Sequence, residues 1–249
     1  VADAQSDGPS DAAREGGFSC EGFTYCDGFE TYEAGTIANG ATLGPWAATV
    51  SRVAMTVDSV NPYSGKQSLH IKVAAIPDAS AEGVLAQHAS LGLVSGNDLY
   101  GRAMLYYSTT DAGGLPLGVH SWIFNASGTS TKDDGGVGMN LGGGGAKVQL
   151  NYHPPPPAVE ESVVGGTMTT GVWHCVQWQY DGAGSPPANL ANVWLDGTLA
   201  VGVDGGKGWE FATPWNAFDF GFTHYQTLKN SVEVFLDDFT LGPEMIPCP

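Results

Sequence analysis

Positive charge is what this sequence has least of. Its 249 residues carry 9 Lys and Arg against 26 Asp and Glu, a formal charge of −17. A surface that acidic repels nucleic acid and anionic lipid, so no nucleic-acid partner is expected. It also disfavours broad attraction to polyanions unless a local basic group gathers them. Long apolar runs are missing too. None approaches the about 20 residues needed to cross a bilayer, so no membrane insertion is expected. The chain opens Val1-Ala2-Asp3-Ala4-Gln5, without the basic start and apolar core of an export signal, and reads as a mature or trimmed chain. The 3.6-residue rhythm of long helices is absent. So are a Gly-x-Ser-x-Gly elbow, a His-Glu-x-x-His pair, a dinucleotide fingerprint and a phosphate loop.

What the sequence does have is glycine (36 residues) and short apolar alternations between turns rich in Gly, Asn, Asp and Pro. That pattern predicts an all-β chain of about a dozen strands, folded as a two-sheet antiparallel sandwich or jelly roll. Residues 1–17 are small, polar and acidic and are expected to form a disordered linker ahead of a single sandwich domain over 18–249. Strands are predicted at Phe23–Tyr32, Ala47–Val57, Ser68–Ala74, Gly83–Leu91, Leu99–Ser108, Val119–Asn125, Gly136–Leu141 and Lys147–His153, then at Val172–Tyr180, Ala191–Leu195, Phe218–Tyr225 and Val232–Leu241. Residues 83–91 also suit a short helix. Asp196-Gly197 between apolar runs predicts a type I′ hairpin turn. Pro154–Pro157 must stop a strand, because proline lacks the ladder N–H, and 154–166 reads as a stiff exposed loop. Gly142–Gly145 reads as a flexible turn.

The four cysteines are Cys20, Cys26, Cys175 and Cys248. An even count without Cys-x-x-Cys fits disulfides, and hence an oxidising, extracellular setting. Three pairings are open. Cys20–Cys26 with Cys175–Cys248 is favoured, the second tying the last residues to a central strand.

Three segments carry a family resemblance. The first is Cys26-Asp27-Gly28-Phe29-Glu30. The second is Trp173-His174-Cys175-Val176-Gln177-Trp178-Gln179-Tyr180-Asp181-Gly182, followed by Val193-Trp194-Leu195-Asp196-Gly197. The third is Glu233-Val234-Phe235-Leu236-Asp237-Asp238-Phe239. In order and spacing the chain resembles secreted concanavalin A-like jelly-roll proteins, and more closely the group with glucuronan-lyase-like and alginate-lyase-like members. The resemblance implies a carbohydrate-active protein whose partner is a polysaccharide, acting as a monomer. It also implies a structural calcium ion where the first and last segments meet, held by Glu30 and Asp238, with carbonyls from Ser64 and Lys66. Calcium takes six to eight oxygen ligands.

A polysaccharide lyase removes the C5 proton of a uronate and expels the 4-linked sugar. It needs a group against the carboxylate, a base and an acid. In lyase-like sandwiches these are Arg, Gln or Asn, His and Tyr, so the resemblance makes Arg102, His120, Gln149 and Tyr225 the catalytic candidates. Tyr106, Trp122, Tyr152 and His224 are the candidates for substrate binding. Alternation puts Arg102, Met104 and Tyr106 on one strand face, and His120, Trp122 and Phe124 on another. It sets Gln149 opposite in sense to Tyr152, and Asp237 opposite to Asp238. The Arg-x-Glu-x-Arg, Gln-Ile-His and Tyr-Phe-Lys-x-Gly motifs of one alginate-lyase family are absent, as is the Glu-x-Asp-x-x-Glu strand of glucanase-type hydrolases. A non-catalytic carbohydrate-binding module or surface adhesion protein is the alternative. It would use exposed aromatics from among Trp46, Trp122, Trp178, Trp209 and Trp215, with Trp209 or Trp215 expected at the surface. Asn125-Ala126-Ser127 is a glycosylation sequon, which matters only in a eukaryotic secretory host.

Overall fold

The computed structural model describes residues 20–76, 80–88, 97–109, 120–128, 135–142, 145–155, 157–182, 189–204 and 207–249. The expected linker over 1–17, part of the glycine run and the end of the 83–91 segment lie outside the described residues. In chain order the strands are β1 (Tyr25–Asp27), β2 (Gly35–Thr36), β3 (Thr42–Leu43), β4 (Trp46–Ser51), β5 (Ala54–Asp58) and β6 (Ser68–Val73). Then come β7 (Ala81–His88), β8 (Asp98–Thr109), β9 (His120–Ser127), β10 (Gly136–Gly142), β11 (Ala146–His153) and β12 (Glu161–Met168). The last are β13 (Trp173–Asp181), β14 (Leu190–Leu195), β15 (Thr198–Val203), β16 (Ala217–His224) and β17 (Val232–Gly242).

They form two antiparallel sheets. Sheet A runs β15-β14-β13-β8-β17-β6-β5-β2, with β1 also paired to β17; sheet B runs β12-β11-β10-β9-β16-β7-β4-β3. Most predicted strands are present. Of the 83–91 segment, residues 83–88 lie in β7 as strand, not helix. The 154–166 loop is shorter than expected, because Glu161–Met168 pairs with β11 as an edge strand. At Asp196 and Gly197 the backbone has φ of 50° and 77°, the left-handed pair that a type I′ turn requires. Both favoured disulfides are formed, Cys20–Cys26 and Cys175–Cys248.

The inner faces of the two sheets enclose one contiguous apolar core. At its centre Trp178 stacks on Phe124 at 4.3 Å and on Phe218 at 5.8 Å, while Phe220 stacks on Phe239 at 4.2 Å and meets Trp46 edge-on at 4.8 Å. Gly101 makes room for Trp178, since a Cβ there would lie 2.0 Å from the indole. Trp209 and Trp215 are both buried, against the expectation that one is exposed. Trp209 stacks on Tyr152 at 5.3 Å, and the Trp215 indole N–H donates to the Tyr180 carbonyl at 3.2 Å.

Register shifts occur in five strand pairings, and two of them move residues expected on a common or an opposed face. In β9 the pairings skip Ile123: Trp122 faces Asn140 and Phe124 faces Met139, so both Ile123 and Phe124 enter the core while Trp122 points outward. The expected common face of Trp122 and Phe124 is therefore broken. In β17 the register shifts between Asp237 and Thr240, and Asp238 adopts φ of 46°. Leu236 and Phe239 both reach the core this way. The same kink brings Asp237 and Asp238 to one loop, where alternation had them opposed. Asp237 accepts from the backbone N–H of Tyr63 and Ser64, and Asp238 accepts from the Ser64 hydroxyl at 2.6 Å.

Candidate functional site

The outer face of sheet B is polar, and its register fixes which side chains stand together. One row across the strands reads His120, Gly142, Lys147, Thr167. The next reads Glu82, Thr223, Trp122, Asn140, Gln149, Val164. A third reads Asp219, Asn125, Gly138, Asn151, Ser162. Inward residues of the same strands, such as Val137, Met139 and Leu141, or Val148, Leu150 and Tyr152, lie in the core. Along β10 three of the four outward positions are glycine, so this strand is a low floor between β9 and β11. Trp122 leans over it: a Cβ on Gly138 would lie 2.2 Å from the indole.

On this floor six side chains form a connected group. The Gln149 amide donates to Asn151 Oδ1 at 3.0 Å. The Asn151 amide nitrogen donates to Glu160 Oε1 and lies 3.4 Å from His120 Nε2. Glu160 Oε1 is 3.6 Å from His120 Nε2 and 3.9 Å from His153 Nε2. The His153 ring packs on Trp122 with centroids 4.8 Å apart. Glu160 stands between β11 and β12, after a turn in which the Ala158 N–H donates to the Pro155 carbonyl at 3.2 Å. Burial pulls the His120 pKa below the ordinary histidine value, and the Glu160 carboxylate opposes that pull only in part. The imidazole is thus neutral near pH 7 and available as a base. Between Trp122 and Gln149, Asn140 is fully buried, with neither side-chain polar atom hydrogen-bonded among the described residues.

Of the twelve residues expected from sequence, His120, Gln149 and Trp122 stand on this face. Tyr225 follows β16 directly. Thr223 pairs with Trp122 and His224 with Ser121, so continuing that register sets Tyr225, which is exposed, opposite His120. His224 is inward and buried, 2.9 Å from the Ser121 hydroxyl. Tyr152 is also inward, donating to the Glu210 carbonyl at 2.7 Å. Arg102 and Tyr106 are on the other sheet, in β8. Tyr106 packs against Trp173 and Phe235 on the outer face of sheet A. Arg102 donates to the Pro247 carbonyl at 3.0 Å, so its guanidinium anchors the C-terminal segment rather than joining His120. Gln177 does the same through the Ile246 carbonyl at 2.6 Å. Asn151, His153 and Glu160 were not anticipated. The polar alternation Gln149-x-Asn151-x-His153 was the available signal for the first two.

The expected calcium ligands converge on the loop after Asn61. Glu30 Oε1 accepts from the Lys66 and Gln67 backbone N–H at 2.8 and 3.0 Å, and Asp238 holds Ser64. Among the described residues no three His, Cys, Asp or Glu are grouped as a metal site.

No protein-family model matches the chain, and no curated protein matches it. Solved structures do. The endo-β-1,4-glucuronan lyase of the fungus Trichoderma reesei is 14% identical, with 83% of this chain and 94% of that chain covered and a TM-score of 0.61. The cellulose-induced protein Cip1 is 16% identical, covering 90% and 100%, with a TM-score of 0.62. The carbohydrate recognition domain of Emp47p is 13% identical, covering 88% and 96%, at 0.50. The fold is a concanavalin A-like jelly roll. Among its described residues no helix is long and apolar enough to cross a membrane.

Proposed function

We propose that this jelly roll is a secreted, carbohydrate-active protein that cleaves a uronate-containing polysaccharide by β-elimination on the outer face of sheet B. The observation that carries the reading is the juxtaposition of a desolvated imidazole, two side-chain amides and a phenol on that face: His120, Gln149, Asn151 and Tyr225. Neutral His120 takes the C5 proton. The electron pair forms the C4=C5 double bond as the C4–O bond breaks, and the leaving oxygen takes the Tyr225 hydroxyl proton. The phenolate is then reprotonated at the expense of the imidazolium. Gln149 supplies an N–H donor to the substrate carboxylate as charge develops on it, and buried Asn151, which donates to Glu160 and accepts from Gln149, holds that amide in place. The likeness to a glucuronan lyase supports the reaction class, and two disulfides support an oxidising compartment.

The test is the ultraviolet absorbance of an unsaturated product from a polyuronate. His120→Ala is expected to lower kcat by roughly 10²–10⁴-fold. Because burial lowers the His120 pKa, the acid limb of the pH–rate profile should lie below the free-histidine value, with rate lost as pH falls through it. Retention on polysaccharide gels with no unsaturated product would replace catalysis by binding alone.

A structural calcium ion held by Glu30, Asp238 and the Ser64 and Lys66 carbonyls belongs to the same proposal. Chelator should then lower the thermal midpoint, and added calcium should restore it. Identical melting curves with chelator and with calcium would remove the ion from the account.

A further inference from the structure

Sheet B has one Lys or Arg in all its strands, Lys147 in β11. Of the cations elsewhere, Lys72 pairs with Glu233 at 2.6 Å, Lys207 with Glu161 at 3.6 Å, and Arg102 holds the C-terminal segment. Lys147 is partly exposed, and among the described residues no carboxylate is paired with it. Its place is specific. Gly142 pairs with His120 on one side and with Lys147 on the other. The two side chains therefore rise from the same face, two strand spacings or about 10 Å apart, with no side chain between them. The rest of the face carries Glu82, Asp219 and Glu160, so an anionic sugar would be repelled unless this ammonium met it.

We propose that Lys147 binds the carboxylate of a uronate sugar lying over Gly142, with His120 on its other flank. This assigns to Lys147 the cationic role that Arg102, on the opposite sheet, cannot fill, and it rests on the outer face of sheet B being the sugar-binding face. The flexible lysine stem reaches across the glycine floor, and a uronate's carboxylate and C5 proton are on adjacent carbons. A single residue over Gly142 thus presents one to Lys147 and the other to His120.

The test separates recognition from turnover. Binding is measured by affinity electrophoresis in gels containing a polyuronate or its carboxyl-reduced, neutral counterpart, using Lys147→Gln and Lys147→Arg in both the parent and the His120→Ala protein. Lys147→Gln should weaken polyuronate binding about 10- to 100-fold, the loss of one charge-assisted hydrogen bond. It should leave neutral-polymer binding unchanged and flatten the salt dependence, while Lys147→Arg restores most of the affinity. If no variant yields unsaturated product but Lys147→Gln still loses polyuronate binding, the elimination chemistry fails and the carboxylate site stands. If Lys147→Gln binds polyuronate like the parent, or loses both polymers equally, the assignment is wrong.

Discussion

Replacing Arg102 by methionine separates a structural role from a catalytic one. The substitution keeps the aliphatic stem and removes the guanidinium. That group is buried in β8 and donates to the Pro247 carbonyl at 3.0 Å, with longer contacts to Thr240 Oγ1 at 3.4 Å and the Asp238 carbonyl at 3.5 Å. A hydrogen bond to a charged group contributes about 1.5–3 kcal/mol net, and contacts near 3.5 Å much less. One good bond and two weak ones give about 3 kcal/mol. The Asp238 carbonyl left behind is buried, whereas Pro247 is exposed and its carbonyl can take water in exchange, so about 3 kcal/mol is the upper end of the loss. For a chain of this size that loss lowers Tm by roughly 6–12 °C. The β9–β11 group lies on the other sheet, so turnover of a polyuronate per folded molecule should be unchanged at temperatures where the variant is folded. Urea denaturation gives the stability and initial ultraviolet rates give the turnover. Parent-like stability with lost turnover would refute the placement of Arg102, and with it the division of labour between the sheets.

In the chain-entropy model the Cys175–Cys248 bond, 73 residues apart, contributes about 4.4 kcal/mol, and Cys20–Cys26, 6 apart, about 2.2 kcal/mol. Serine replacement of each pair should therefore shift the urea midpoint more for the first, and equal shifts would discount the loop-length account. Asp98 faces Asp181 across β8 and β13, and burial first, then the Asp181 charge, raises its pKa. The folded chain thus holds a proton that the unfolded chain releases, and stability is lost as pH rises from the ordinary carboxylate range through that raised value. Asp98→Asn should be more stable than the parent at pH 8 and level with it at pH 4; parallel stability–pH curves would show that the pair is not strained.

The period-2 pattern made the strands legible, because each buries one face. Val232, Val234 and Leu236 in β17 all enter the core. The bulges were not legible. Whether Ile123 or Asp238 is the extra residue depends on the partner strand's register, which no local pattern encodes. β12 was missed because its proline-bounded start and Gly165-Gly166 read as loop. The glycine instead admits the opposite sheet's edge, since a Cβ on Gly165 would lie 2.1 Å from the Ala200 carbonyl oxygen. The burial of Trp209 and Trp215 was equally hidden, since a Gly- and Pro-rich stretch does not reveal what packs over it.

The site was legible only in part, for a related reason. Alternation says which face a residue occupies, but not on which sheet. Arg102 and His120 are equivalent by alternation, yet the chain changes sheets between β8 and β9, so they end on opposite outer surfaces. The β10–β11 hairpin is different, because its two strands must be neighbours in one sheet. Pairing the apolar residues Met139 with Leu150 and Leu141 with Val148 forces Asn140 opposite Gln149 and Gly138 opposite Asn151. It also sets Gly142 against Lys147, with no knowledge of the remaining fold. A functional face in such a sandwich is best sought first on hairpins, where the turn fixes neighbours. Residues on strands joined by longer connections need the sheet order before they can be grouped.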